Sequence, residues 1–155
     1  MKTLVAVTMM LTAVIAQAQL ASKKTLTLDA AKVIAAAAEA EAKKNNLSMV
    51  ICVVDEGGHI ILLEKMEGTQ LGSVQVAQDK AMTAVNFKRP TKALEDAVAG
   101  GRNAVLKLTG AIPIEGGIPV MVGGELVGAV GVSGGTSPQD AQVAAAGVKV
   151  GETMK

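Results

Sequence analysis

The residues of this 155-residue chain with chemistry to explain are few: one histidine, one cysteine and one lysine set against the grain of its helix. His59 is the only imidazole available to ligate a metal or shuttle a proton. It follows the pair Gly57-Gly58, so it is expected at a partly exposed turn, either as a ligand or as an ordinary hydrogen-bonded turn residue. Lys80 has Val76, Ala77, Thr83, Ala84 and Phe87 as its helical neighbours, so a charge interrupts an apolar face. Two outcomes are open: the ammonium meets an anionic ligand, or the stem packs while its end reaches water or a carboxylate. Cys52, between Ile51 and Val53, reads as a small buried hydrophobe of low reactivity.

The 17 glycines all lie at or beyond Gly57, and ten of them form five Gly-Gly pairs. Most mark turns. The last pair differs, because Gly131-Val132-Ser133-Gly134-Gly135-Thr136-Ser137 leads from a strand into a helix N-terminus, where free N–H groups favour an anion. Ser133 and Gly134 are therefore candidate contacts, beside the plainer reading of a tight turn. The same stretch spells G-x-S-x-G, but a nucleophile elbow needs a parallel sheet and a later histidine, and His59 lies upstream. The phosphate-loop and dinucleotide spacings are absent. No catalytic residue is assigned.

Composition closes further routes. A formal charge of +1, one Phe, no Trp and no Tyr leave neither a basic field for a phosphate backbone nor aromatic faces for bases, so no nucleic-acid partner is expected. One cysteine cannot form an internal disulfide. One cysteine and one histidine fall short of the roughly four ligands of structural zinc.

These groups must be held by elements, and the pattern of the chain supplies them. Residues 1–18, MKTLVAVTMMLTAVIAQA, have a charged Lys2, an apolar run from Leu4 to Ala16 and small residues in Ala16-Gln17-Ala18. They read as a secretory signal peptide cleaved after Ala18. The run is shorter than the roughly 20 residues that span a bilayer, so no membrane span is expected in the mature protein. Residues 19–155 then form one domain, periplasmic or secreted. Thr27 to Asn46 is an Ala-rich helix with Asp29 near its start and Lys43 and Lys44 in its last turn. Ser48 to Val54 is a strand apolar on both faces, turned by Asp55-Glu56-Gly57-Gly58 into a second strand, His59 to Met66. Gly72 or Ser73 opens a helix over Val74 to Phe87 that must stop before Pro90. A short helix from Thr91 to Ala99 ends at Gly100-Gly101. A second hairpin follows, Ile118 to Val122 and Leu126 to Ser133, then a last helix with Ser137 at its N-cap, Pro138 at N1 and Asp140 at N3. Tight turns between strands require a mainly antiparallel sheet, hence an α+β domain with helices packed on it. Its richness in Ala, Val and Ile points to surface buried between copies, a homo-oligomer.

Six stretches, in order, resemble the GlcG/HbpS-like haem-binding family, whose domain also occurs at the C-terminus of PduO-type corrinoid adenosyltransferases. They are Leu26 to Ala31 (LTLDAA), Val53 to Ile60 (VVDEGGHI), Lys65 to Gly68 (KMEG, where the family has R-M-D-G), Lys80 to Thr91 (KAMTAVNFKRPT), Gly116 to Val120 (GGIPV) and Val127 to Gly134 (VGAVGVSG). The resemblance implies a profilin-like fold, symmetric oligomers and binding of haem or a related tetrapyrrole, with haem breakdown in some members. Carried over by position, His59, Met66, Lys80 and Thr83 are the implied ligand contacts, with His59 as the metal ligand. No C-x-x-C-H occurs, so haem would be held non-covalently. The expected function is an exported tetrapyrrole-binding protein, more a binder than an enzyme. Its alternatives are a haem-degrading or iron-handling enzyme, and an oligomeric accessory protein of a catabolic pathway without a small ligand.

Overall fold

The structure is a computed structural model that describes residues 20–154. The signal peptide expected over residues 1–18 lies outside that range.

Two hairpins make one sheet. Strands β1 (Val50–Asp55) and β2 (Ile60–Lys65) pair antiparallel, as do β3 (Gly117–Val122) and β4 (Glu125–Ser133). β1 then pairs antiparallel with β4, joining the hairpins in the order β2-β1-β4-β3. The register sets Val50 beside Ser133 and Asp55 beside Gly128, so both hairpin turns lie at one end of the sheet.

Period-two alternation divides the central strands between two cores. Ile51, Val53, Val130 and Val132 face helices α1 (Leu28–Lys44) and α4 (Ser137–Gly151). Val50, Cys52, Val54 and Ala129 face helix α2 (Ser73–Phe87), which presents Ala77, Ala81 and Ala84. Each fully buried Val or Ile contributes about 1.5–3 kcal/mol relative to exposure. The expected α+β fold, an antiparallel sheet with helices on both faces, is the observed one.

Helix boundaries follow local chemistry. Thr27 caps α1, its hydroxyl accepting from the Ala30 amide at 3.2 Å, and Asn46 takes positive φ just beyond the other end. α2 ends in a left-handed Lys88, two residues before Pro90. α3 (Lys92–Ala99) is followed by a 3₁₀ turn, Asn103–Lys107. The N-cap of α4 is Thr136, not Ser137: the Gln139 side chain accepts from the Thr136 amide at 2.9 Å, and Asp140 turns inward. Sequence pattern alone does not separate two adjacent hydroxyl residues as caps.

α2 lies unusually close to the sheet. A Cβ on Gly131 would strike the Ala77 carbonyl oxygen, and one on Gly117 would strike that of Lys80. Both glycines are required by close backbone approach rather than by a turn.

Candidate functional site

At the hairpin end, His59 stands just past the β1–β2 turn with its side chain 83% exposed. Gly58 supplies the positive φ of the turn, and Gly57 leaves room for the ring, whose Cε1 and Nδ1 would lie 2.9 Å from a Cβ there. Asp55 organises the loop: its Oδ1 accepts from the amides of Gly57 and His59 at 2.8 Å each, and Nδ1 of His59 lies 3.2 Å from both carboxylate oxygens. Burial would raise the Asp55 carboxyl, but the backbone amides of His59 and Gly57 and the imidazole outweigh it and hold the group below its usual range. Because a carboxylate only accepts, the neutral imidazole carries its proton on Nδ1 and leaves Nε2 as the free lone pair. Such carboxylate–histidine pairing orients metal-binding imidazoles.

At the other end of the sheet, roughly 20 Å away at about 3.3 Å per strand residue, Met66 is half-buried. Its sulfur accepts from the Met49 amide at 3.4 Å. Nearby, Lys80 is 1% exposed and its ammonium donates to Asp140 Oδ2 at 2.6 Å and to the Val132 carbonyl at 3.1 Å. Of the two outcomes open for this lysine, the structure has it reaching a carboxylate. That carboxylate is also the anion at the β4–α4 turn: Asp140 Oδ1 accepts from the Gly135 amide at 2.9 Å, and the Gly134 amide points to it as well. Burial pushes the Asp140 carboxyl up, against the pull of Lys80 and the two amides.

Ser133 is buried and donates to Ser73 Oγ at 3.2 Å. At Gly134 φ is +152°, and a Cβ would strike the Ser48 carbonyl oxygen. Thr83, one helical turn beyond Lys80, accepts from the Ile112 amide at 2.9 Å and borders a surface cavity of about 230 Å³ with Met82 and Gly110. Lys80 is thus one half of a buried ion pair that the Gly134 amide supports, Ser133 bonds Ser73 instead, Met66 contacts Met49, and Thr83 opens to a separate surface. His59 is not brought to any of them. Asp140 is the member that sequence reasoning missed as a partner. Its signal was Lys80 itself, a buried cation that requires an anion.

The cavities bordering these elements run from about 220 to about 370 Å³, below or at the lower end of the roughly 300–1,000 Å³ of sites that enclose a drug-sized ligand. His59 stands on open surface, and no cavity among those bordering these elements encloses it. Among the described residues no helix is long and apolar enough to cross a membrane.

A family model described as "Haem degrading protein HbpS-like" matches residues 26–149. Protein GlcG of Escherichia coli K12 is 43% identical over 112 residues, covering 72% of this chain and 84% of that protein. A crystal structure of a double mutant of Streptomyces reticuli HbpS superposes with TM-score 0.78 and 32% identity over 89% of this chain and 97% of that one. A crystal structure of a PduOC:heme complex gives TM-score 0.73 and 27% identity over 81% of this chain and 94% of that one.

Proposed function

This chain belongs to the HbpS-like family, and from that premise we propose that it is an exported protein that binds haem or a related tetrapyrrole without a covalent link. The observation that carries the reading is His59: the sole imidazole of the chain, exposed, with Nδ1 held by Asp55 and Nε2 free. The haem complex of the similar PduOC chain supports the same ligand class. Were haem bound, Nε2 of His59 would hold its iron, and that iron would supply the redox and ligand-binding chemistry. The chain itself orients the imidazole through Asp55 and covers a macrocycle with aliphatic surface, since it has one aromatic residue. Met66, Lys80, Thr83, Ser133 and Gly134 remain the other proposed contacts. Of these Thr83 borders open surface, whereas Lys80 would have to leave Asp140 to meet a propionate.

Export rests on the leader-like residues 1–18, and oligomerisation on exposed apolar side chains such as Leu71, Leu106 and Ile60. Titrating the purified mature protein with haemin tests the reading. A saturable Soret shift at micromolar haem is expected, and its absence sinks the proposal. The family description favours a second reading, haem breakdown. Adding ascorbate to the haem-loaded protein separates the two: stable absorbance identifies a binder, and loss of the Soret band with iron release identifies turnover.

A further inference from the structure

His59 meets Asp55 through a step in strand register. Along β1 and β2, Val50 pairs with Lys65, Ile51 with Glu64, Cys52 with Leu63 and Val53 with Leu62, and the register then steps so that Val54 pairs with Ile60. Ile61 is thus an extra residue in β2, a bulge without a cross-strand partner. Continued without the step, the pairing would set Asp55 against Ile60 and Glu56 against His59, and Gly57-Gly58 would close a two-residue hairpin, a turn that this dipeptide favours. The step instead sets His59 opposite Asp55, and the His59 carbonyl accepts from the Asp55 amide at 2.9 Å. A one-residue change of register moves a side chain to the other face of a sheet, so the bulge decides which carboxylate the imidazole meets.

The turn makes a second contribution. Gly57 lies outside the positive-φ region, so its backbone does not call for glycine. The space beside it does: a Cβ there would stand 2.9 Å from both Cε1 and Nδ1 of His59 and 3.2 Å from Asp55 Oδ1, against both halves of the pair. Gly58 differs, with φ +83° and nothing within 4 Å of a Cβ. The second glycine serves the bend of the chain and the first makes room for the ring to lie on Asp55.

We propose that Gly57 and Ile61 are positioning residues for His59: the bulge puts the imidazole opposite Asp55 rather than Glu56, and the absent Cβ lets Nδ1 settle on that carboxylate, leaving Nε2 for a ligand. That Nε2 takes iron rests on the proposed haem function. That these two residues aim the ring does not.

The proton position on His59 in the haem-free mature protein, read from the NMR shifts of the imidazole nitrogens in alkaline buffer, tests the aiming by itself. The unaltered protein carries the proton on Nδ1, the nitrogen on the carboxylate. Gly57→Ala pushes the ring off Asp55 and returns the proton to the mixture of an unrestrained imidazole, while the Gly58 amide keeps its bond to the Asp55 carbonyl and its exchange protection. Glu56→Gln leaves the proton on Nδ1. Deleting Ile61 restores the regular register and likewise frees the ring; if that protein does not fold, Gly57→Ala still decides. Haemin titration of the same proteins separates the two ideas. Where the unaltered protein takes haemin, Gly57→Ala weakens binding about 10-fold or more, the usual effect of losing a supporting group. Where it does not, yet the proton positions come out as stated, the haem function fails and the positioning stands. An unmoved proton in Gly57→Ala overturns the assignment, as does loss of the Nδ1 proton in Glu56→Gln or its retention in a folded Ile61 deletion.

Discussion

His59 owes its potential to Asp55 more than to its own exposure. With Nδ1 on the carboxylate, the ring is oriented before any metal arrives. Changing His59 to Ala should therefore shift the Soret band of the haem-loaded protein and weaken haem binding. Asp55→Asn keeps the imidazole but removes its anionic partner, and should weaken haem binding about 10-fold or more, the usual effect of losing such a supporting group. Acid offers a second check. Because the Asp55 carboxyl is depressed below its ordinary 3.8 in the folded chain, its stabilisation is present above that pH and is lost as pH falls through the folded value. The amide resonances of Gly57 and His59 should move together below about pH 4, ahead of the central strands. Cys52 behaves oppositely. Burial alone pushes its thiol up to about 12, so a thiolate-directed alkylating reagent should label it only after denaturation.

At the scale of elements, the β4–α4 turn is built around an internal anion. Its glycine amides and the incoming helix, which the sequence offered either as an anion site or as a plain tight turn, close on Asp140, and Asp140 ties the turn to Lys80 of α2. Breaking such a buried pair by removing one partner costs about 3–5 kcal/mol. Lys80→Met or Asp140→Asn alone should lower the unfolding free energy from urea titration by that measure, and the double change Lys80→Met with Asp140→Leu should recover much of the loss. If the single changes are silent, the ion pair does not hold the turn. α2 also depends on glycine beneath it: Gly131→Ala would drive a methyl group into the Ala77 carbonyl. Overpacking of this kind costs about 1–3 kcal/mol, read as a lower thermal midpoint with α2 amides the first to lose exchange protection.

For the molecule as a whole, the sheet separates two regions. The hairpin end carries His59 and Asp55, and the far end carries the Lys80–Asp140 pair and Met66. The cavities at the two regions are open and at most about 370 Å³, while Leu71 is 84% exposed and the edge strand β2 presents Ile60 to solvent. Those two facts are the basis for proposing that haem is held between copies. Native mass measurement should find a defined oligomer, and haem saturation should fall below one per chain when copies share a site. Diluting the sample until the oligomer dissociates should release the haem. Retention of one haem per isolated chain would place the site within a single copy instead.

Helices, hairpins and the antiparallel sheet were legible because they depend on local signals: alanine runs, β-branched strands, Gly-Gly turns and Pro90 each act over a few residues. The turn that exposes His59 was legible for the same reason, since Gly57, Gly58 and His59 are neighbours. The capping of α4 was not, because Thr136 and Ser137 offer the same hydroxyl and only Asp140's inward turn selects between them. Nor was the fate of Lys80: its partner lies 60 residues away, brought near only when α2 packs on β4 and α4 enters behind it. The separation of His59 from Lys80, and the imidazole's pairing with Asp55, likewise arise from strand register and hairpin order. By itself the sequence determined which groups are chemically available and which local elements carry them. Tertiary structure alone decided which charges neutralise one another and which face solvent, because burial and pairing depend on distances that packing creates.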